Sequence, residues 1–281
     1  MSVKGTVLIR FSAGRPQFYK KDKALTAETQ DNNKMSGDAG NFNKCLIPTS
    51  YLKEWDKGIS ALRAWFYDLT SPYDDNSGYR ICTPDGFWKF NRIYLESQQT
   101  LMGVKSKFTD NYEAIIEEQR CRLGDAFHVS DFPRTDAIEA KFRMEIDVAE
   151  VPKKGALFHL GEEEEKRLLA KAEERLNASH LGNYQRLLRA VNHLATTLSD
   201  EGKVKNCKST TLTNVQELAD VIPDINFKDD PLLNQLADQT RQLLDSVSMS
   251  DLKKDDETRQ RIAAGATETS QHIESMVALY A

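Results

Sequence analysis

The sequence predicts a mainly α-helical protein. It is expected to have a long antiparallel α-hairpin with a small two-stranded β element near the N-terminal half, followed by a helical C-terminal region. Apolar residues recur at spacings of three and four along most of the chain, as in amphipathic helices. Only two short segments alternate apolar and polar residues as strands do. The stretch PKKG separates two predicted domains, residues 1–155 and 156–281.

The predicted hairpin consists of two helices. An apolar stripe from Leu52 to Leu69 predicts a helix over residues 50–69, which begins after Pro48. A second stripe predicts a helix over residues 86–121, about 50 Å long at the usual rise per residue. So long a helix needs a partner, and antiparallel pairing with the first helix is the simplest arrangement. The Pro- and Gly-containing stretch at residues 70–78 is predicted to end the first helix.

The predicted β element pairs two segments that are distant in the chain. Residues 5–11 alternate moderately, and residues 142–148 alternate most cleanly. An isolated strand would leave its backbone groups unpaired, so we expect the two segments to pair. The polar stretch over residues 12–44 is predicted to be mostly irregular.

The C-terminal domain is predicted to contain successive helices. One begins with the acidic run at residues 162–165, and the next carries a stripe from Leu181 to Leu198. A further helix is expected to begin after Asp230, an N-cap residue followed by proline.

Charge and cysteine usage limit the class of protein. The chain has 281 residues and a net charge of −5, which is neither basic like a general nucleic-acid coat nor strongly acidic like a DNA mimic. Residues 1–60 carry +4, so the rest carries −9. The four cysteines are scattered singly, as is usual in a reducing compartment, and no apolar run approaches the ~20 residues of a membrane helix. We therefore expect a cytoplasmic protein that does not enter the membrane.

The familiar catalytic motifs are missing. No P-loop, GxGxxG, HExxH or GxSxG motif occurs. Asp125, His128 and Asp131 could hold a cation if their loop coils, but short Asp/His clusters more often form turns. We expect no catalytic residue, no cofactor and no bound metal.

The N-terminal stretch IRFSAGRPQFYKKDK interleaves basic and aromatic residues. Cations that follow a phosphate backbone and aromatics that stack on bases are what single-strand binding requires. The alternative, which we favour, is a solvated loop whose aromatics pack on the core. The candidate nucleic-acid-binding residues are Arg10, Arg15, Phe18, Tyr19, Lys20, Lys21 and Lys23.

A second candidate surface lies in the loops. The stretch GDAGNFNKCLIP does not fit a phosphate cradle, because its glycines precede Pro48 and the helix begins only after it. If the loops meet at the end of the hairpin, their polar residues form one surface; alternatively, these residues cap helix ends. The residues concerned are Asn41, Asn43, Lys44, Asp74, Arg80 and Asp125.

Four blocks of sequence carry a resemblance to a known family. In order, they are GDAGNFNKCLIP, LRAWFYDLTSPYDDNSGYRI, LGDAFHVSDFP and FRMEIDVAEVPKKG. In these blocks the chain resembles a family of uncharacterised bacteriophage and mobile-element proteins, often encoded near MoxR-type AAA+ ATPase and von Willebrand A domain genes. The resemblance covers about residues 1–155. It implies a viral protein in the host cytoplasm and assigns no activity or catalytic residue.

Three functions follow as expectations. The first is a non-catalytic phage-type interaction or scaffold protein that forms homo-oligomers or docks a macromolecular partner. The second is single-stranded nucleic-acid binding in phage recombination or replication. The third, implied only by the resemblance, is an adaptor of a MoxR-type AAA+ ATPase.

Overall fold

The computed structural model describes residues 5–155 and 161–280, which form a mainly α-helical protein with a small antiparallel sheet, as predicted. Single-turn 3-10 helices lie at Thr49–Leu52, Gly124–Ala126 and Val129–Asp131. The strands are β1 (Val7–Gly14), β2 (Tyr19–Lys21), β3 (Asn43–Cys45), β4 (Ser71–Asp74), β5 (Tyr79–Cys82) and β6 (Arg143–Ala149). The helices are α1 (Lys23–Asn32), α2 (Lys53–Asp68), α3 (Pro84–Asp110), α4 (Tyr112–Leu123), α5 (Thr135–Glu139), α6 (Glu162–Leu198), α7 (Glu201–Asn206), α8 (Ser209–Ile225), α9 (Pro231–Leu244), α10 (Met249–Lys254) and α11 (Asp256–Tyr280).

The main sheet has four strands in the order β4-β5-β1-β6. The predicted pairing of the two alternating segments is confirmed, since β1 and β6 are neighbours. The predicted end of the first helix at residues 70–78 is confirmed, because α2 ends at Asp68; the stretch itself forms an antiparallel hairpin of β4 and β5 that was not predicted. Gly78 adopts a φ of +72° in the turn, a conformation that glycine reaches without strain. Strands of four residues contain too few alternations to be recognised by pattern.

The stretch predicted to be mostly irregular contains α1 and a second, two-stranded sheet of β2 and β3. Asp22 begins α1, because its side chain accepts a hydrogen bond from the backbone N–H of Leu25 at 3.1 Å. β2 and β3 pair across α1, so neither strand is visible as a local hairpin signal. The prediction failed here because the pairing is not local.

The predicted helix over residues 50–69 is confirmed by α2, and its stripe is buried as far as Leu69. The helix predicted over residues 86–121 is instead two helices, α3 and α4, interrupted at Asn111. The Asn111 side chain donates to the carbonyl of Lys107 at 2.7 Å, and its backbone leaves the helical region at φ −98°, ψ 5°. Asparagine ends helices in this way because its amide competes for backbone partners.

The two helices predicted at the start of the C-terminal domain are one continuous helix, α6. Polar residues in the middle of α6 are buried and hydrogen-bonded. The Asn183 amide donates to the carbonyl of Ile225 at 2.9 Å, and the Ser71 hydroxyl donates to the Asn183 side-chain oxygen at 2.6 Å. Tertiary partners therefore stabilise the helix where its local pattern is weak.

The contacts divide the chain into two compact units. The large unit comprises residues 1–10, 64–91 and 147–281, and the small unit comprises residues 11–63 and 92–146. The predicted division into residues 1–155 and 156–281 stays a prediction.

Each unit has its own apolar core. In the large unit, α6 packs against α8 and α11, and side chains such as Tyr184 and Ile222 are fully buried. In the small unit the core is aromatic, with the ring of Phe142 4.9 Å from Trp55 and 5.6 Å from Phe108. Edge-to-face packing of this kind adds to the burial of apolar area.

Candidate interaction surfaces

The ribbon formed by β2 and β3 brings together residues from both predicted surfaces. Tyr19 lies opposite Cys45, and Lys21 lies opposite Asn43. Directly opposed residues of an antiparallel pair point to the same face, so these four side chains share the outer face of the ribbon. Tyr19, Lys21 and Asn43 are exposed. The outer face therefore offers an aromatic ring, an ammonium group and an amide.

The inner face of the ribbon holds a buried network of charges. Lys44 Nζ lies 2.5 Å from Asp131 Oδ2 and 3.1 Å from Asp22 Oδ2, and it donates to the Ala126 carbonyl at 2.9 Å. Lys20 Nζ donates to the other carboxylate oxygen of Asp131 at 2.6 Å. Two cations thus meet two anions. The network ties the ribbon to the start of α1 and to the loop at residues 124–131.

The network also shifts the pKa values of its members. Burial alone would lower the pKa of Lys44, but its contacts with Asp131 and Asp22 raise it above the usual 10.5. Burial alone would raise the pKa of Asp131, but Lys20 and Lys44 bring it below the usual 3.8. Lys44 and Asp131 therefore stay charged at neutral pH and act as a cross-link rather than as an acid–base pair.

Phe18, one of the predicted nucleic-acid-binding residues, lies in the core of the small unit. Its side chain is 3% exposed, and its ring lies 5.9 Å from Phe108 and 6.2 Å from Tyr112. This position leaves no face on which a base could stack, as in the alternative that placed the aromatics on the core.

Three of the predicted cations are held in ion pairs. Arg10 Nη2 lies 2.6 Å from Asp147 Oδ2, and Arg15 Nε lies 3.0 Å from Asp56 Oδ1. Lys20 binds Asp131 in the network described above. The candidate nucleic-acid-binding residues that remain exposed outside such pairs in the described part of the chain are Tyr19, Lys21 and Lys23.

The predicted loop surface is only partly assembled. Asn41, Asn43 and Asp125 are exposed, whereas Lys44 is buried. Lys44 donates to the carbonyl of Ala126, the residue after Asp125. β3 and the loop that contains Asp125 therefore contact each other. Arg80 belongs to the large unit.

Arg80 binds the end of a helix instead of forming an open surface. Its guanidinium donates to the Thr70 hydroxyl at 2.6 Å and to the Thr70 carbonyl at 2.8 Å, and lies 4.9 Å from the ring centre of Tyr67. Burial lowers the pKa of Arg80 to about 10. This is the helix-capping role given above as the alternative. Asp74 is also used within the large unit, where it pairs with Arg175 at 3.0 Å.

The cluster of Asp125, His128 and Asp131 does not converge on a common point. Asp131 turns to the two lysines, and the other two side chains are exposed. Across residues 5–155 and 161–280, no group of three or more His, Cys, Asp or Glu side chains is placed to share a metal ion.

A buried polar cluster in the large unit was not predicted from the sequence. Asp230 Oδ2 accepts a hydrogen bond from the Tyr184 hydroxyl at 2.6 Å and lies 3.0 Å from His180 Nε2. Its other oxygen accepts from the backbone N–H of Leu232 at 2.9 Å and begins α9, as its predicted N-cap role requires. Burial, the largest effect, lowers the pKa of His180, so the imidazole is neutral at pH 7. The cluster fixes the α8–α9 loop against α6.

The large unit exposes aromatic side chains that its core does not use. Trp65 and Tyr67, at the end of α2, are 48% and 53% exposed, and Trp88, at the start of α3, is 64% exposed. The ring of Phe66, which lies between Trp65 and Tyr67 in the chain, packs against the ring of Phe90 at 5.3 Å. Trp and Tyr are enriched among the residues that dominate binding at protein interfaces. We use the name aromatic surface for these three side chains, Trp65, Tyr67 and Trp88; the name refers to their exposure and implies no contact among them.

A groove of about 430 Å³ lies beside the start of α8, where Lys203, Lys208, His193 and Cys207 line it. Both lysines and the histidine are exposed, and salt weakens the attraction of such charges for an anion. The groove alone therefore does not define a binding site.

Comparison with known protein families, with curated proteins and with solved structures found no match. The resemblance to phage and mobile-element proteins therefore stays a prediction. In the described ranges, no helix combines the length and the apolar content that crossing a bilayer requires.

Proposed function

We propose that the protein is a non-catalytic interaction protein that associates with itself or docks a macromolecular partner. The exposure of Trp65, Tyr67 and Trp88 carries this proposal. Large aromatic side chains gain the most free energy when a partner removes their apolar area from water. Arg80 stacks on Tyr67 and holds it in place, so less side-chain freedom is lost on binding. We place the protein in the cytoplasm, of the host if it is phage-encoded.

The polar clusters support a non-catalytic role. The network of Lys44 and Asp131 and the cluster of His180 and Asp230 join elements of the fold, and the Lys44 and His180 side chains are buried. A group that performs general acid–base chemistry must reach its substrate.

We include the long antiparallel hairpin of α2 and α3 in the proposal. Two contacts support it: Gly58 packs against Leu101, and Phe66 packs against Phe90. The contact nearer the start of α2 involves a residue late in α3, and the contact nearer the end of α2 involves a residue early in α3. Antiparallel helices contact each other in this order.

The mass in solution tests the proposal. Light scattering at micromolar concentration is expected to give a mass above that of one chain, and Trp88→Ala is expected to lower it. Leu232→Ala is the matched control, because Leu232 is 41% exposed on α9 in the same unit. A monomer at every concentration, together with no partner retained by the wild type but lost by Trp88→Ala, would contradict the proposal.

Two alternatives stay predictions with their own tests. Single-stranded nucleic-acid binding would rest on Tyr19, Lys21 and Lys23, and a gel shift at low salt tests it. An adaptor role with a MoxR-type AAA+ ATPase rests on the resemblance alone, and a pull-down with the neighbouring ATPase tests it.

A further inference from the structure

The outer edge of β2 carries backbone groups that the ribbon does not use. The N–H of Leu46 donates to the carbonyl of Phe18 at 2.7 Å, which makes these two residues a hydrogen-bonded pair. Hydrogen-bonded and non-hydrogen-bonded pairs alternate along an antiparallel ladder. Tyr19 and Lys21 therefore occupy non-hydrogen-bonded pairs, and their N–H and C=O groups point away from β3.

This edge is open in the part of the chain that the structure describes. The sheet of β2 and β3 has only two strands, and no hydrogen bond within residues 5–155 and 161–280 reaches the backbone of Tyr19 or Lys21. The Tyr19 side chain is 56% exposed, and Lys21 is also exposed. An open edge strand is a template for an additional strand.

The charges beside the edge set its selectivity. Among the described residues, Lys21 and Lys23 form no ion pair, whereas Lys20 is held by Asp131. An exposed lysine on an edge strand discourages pairing with neutral or basic strands, because its ammonium group would lose water without compensation. A strand that carries carboxylates compensates that loss.

We propose that the outer edge of β2 receives an extended acidic peptide segment of a partner protein as a third strand. The backbone of Tyr19 and Lys21 supplies the hydrogen bonds, Lys21 and Lys23 pair with carboxylates, and the Tyr19 ring covers an apolar side chain of the peptide. The aromatic surface lies in the large unit, so this second docking site does not depend on it.

A peptide fits this edge better than a single-stranded nucleic acid. Single-strand binding uses a basic groove and several stacking aromatics, but Phe18 is buried and Lys20 is paired. A nucleic acid also has no backbone N–H groups to pair with the carbonyls of the edge.

Fluorescence anisotropy with the 281-residue chain tests the proposal. The probe is a labelled, end-blocked peptide of alternating Glu and Val, about eight residues long, which is an ordinary length for a strand. We expect the wild type to bind it and Lys21→Glu to weaken binding by about tenfold. Lys57→Glu is the matched control, since Lys57 is exposed on α2 in the same unit and the change of charge is identical. It should bind as the wild type does.

Two altered probes separate backbone pairing from simple charge attraction. A peptide N-methylated at alternate positions keeps its charge but loses the N–H groups that pair with β2, and it should not bind; a peptide with Lys in place of Glu should not bind either. No binding by the wild type, or binding that survives N-methylation or Lys21→Glu, would overturn the proposal. Binding of oligo-dT in place of the peptide would also overturn it and would assign the surface to nucleic acid. Self-association measured by light scattering is independent of all these results.

Discussion

Lys44 Nζ lies 2.5 Å from Asp131 Oδ2, and only 5% and 8% of the two side chains are exposed. A buried ion pair therefore joins β3 to the loop at residues 124–131. This pair ties a strand of only three residues to that loop.

Removing the cation of this pair should destabilise the protein strongly. Lys44→Met leaves Asp131 and Asp22 close together with one cation fewer, so we expect the free energy of unfolding to fall by about 3–5 kcal/mol in a urea titration. Lys20→Met is the control, because the Lys20 side chain is 48% exposed and should matter by about 0–1 kcal/mol. Equal effects of the two substitutions would mean that water reaches the network.

The stability should depend on pH through His180. Burial lowers the pKa of His180 in the folded protein below its usual 6.5. As the pH falls, His180 therefore becomes protonated at a higher pH in the unfolded chain than in the folded chain. The stabilisation is complete above about pH 6.5 and falls as the pH drops from there to the folded pKa. Urea titrations across this range measure the slope. His180→Gln should remove this contribution, and His193→Gln should keep it because His193 is exposed; the same slope in both variants would refute the assignment.

Two glycines of α3 should respond to alanine in opposite ways. A Cβ at Gly86 would lie 2.6 Å from the backbone oxygen of Asp224, so Gly86→Ala should lower the free energy of unfolding by about 1–3 kcal/mol. Gly103 has no neighbour within 4 Å of such an atom, so Gly103→Ala should raise it by about 0.5–1 kcal/mol. Thermal unfolding compares the two variants directly. Stabilisation by both would show that the start of α3 does not lie close to Asp224.

Arg80 should stabilise the end of α2. Arg80→Ala removes the donors to Thr70 and leaves its buried carbonyl without them, so we expect a loss of about 1–3 kcal/mol in urea unfolding. Arg63→Ala is the control, because Arg63 is exposed on the same helix and should change stability by about 0.5 kcal/mol or less. If Arg80→Ala behaves like this control, the guanidinium contributes no cap.

The sequence predicted what local periodicity encodes. The stripe through Trp55 and Leu62 identified α2, because a helix repeats its buried face within a few residues. β4 and β5 were missed, because the stability of such short strands depends on the strands they pair with and not on a local sequence pattern. At Asn111 the apolar pattern predicted too much helix. The pattern continues across this residue, but its side chain donates to the carbonyl of Lys107 and the helix divides into α3 and α4.

The candidate site shows the same division. The basic and aromatic character of Tyr19 and Lys21 was evident from the sequence, and so was the polar character of Asn43. Their meeting on one face depends on the register of two strands that are separated by α1. Phe18 is buried and Tyr19 is exposed because successive side chains of a strand point to opposite faces. A shift of the pairing by one residue would bury Tyr19 and expose Phe18.

One buried apolar cluster joins residues that are translated at very different times. It consists of Leu8, Tyr73, Ile81, Leu176 and Phe227. Leu176 and Phe227, which pack in the same cluster as Leu8, are translated long after it because they lie far downstream in the chain. We expect β1 to emerge with its apolar face in water and to stay exposed until α6 and the α8–α9 loop have been translated. A nascent chain stalled before α6 should therefore be a good chaperone substrate.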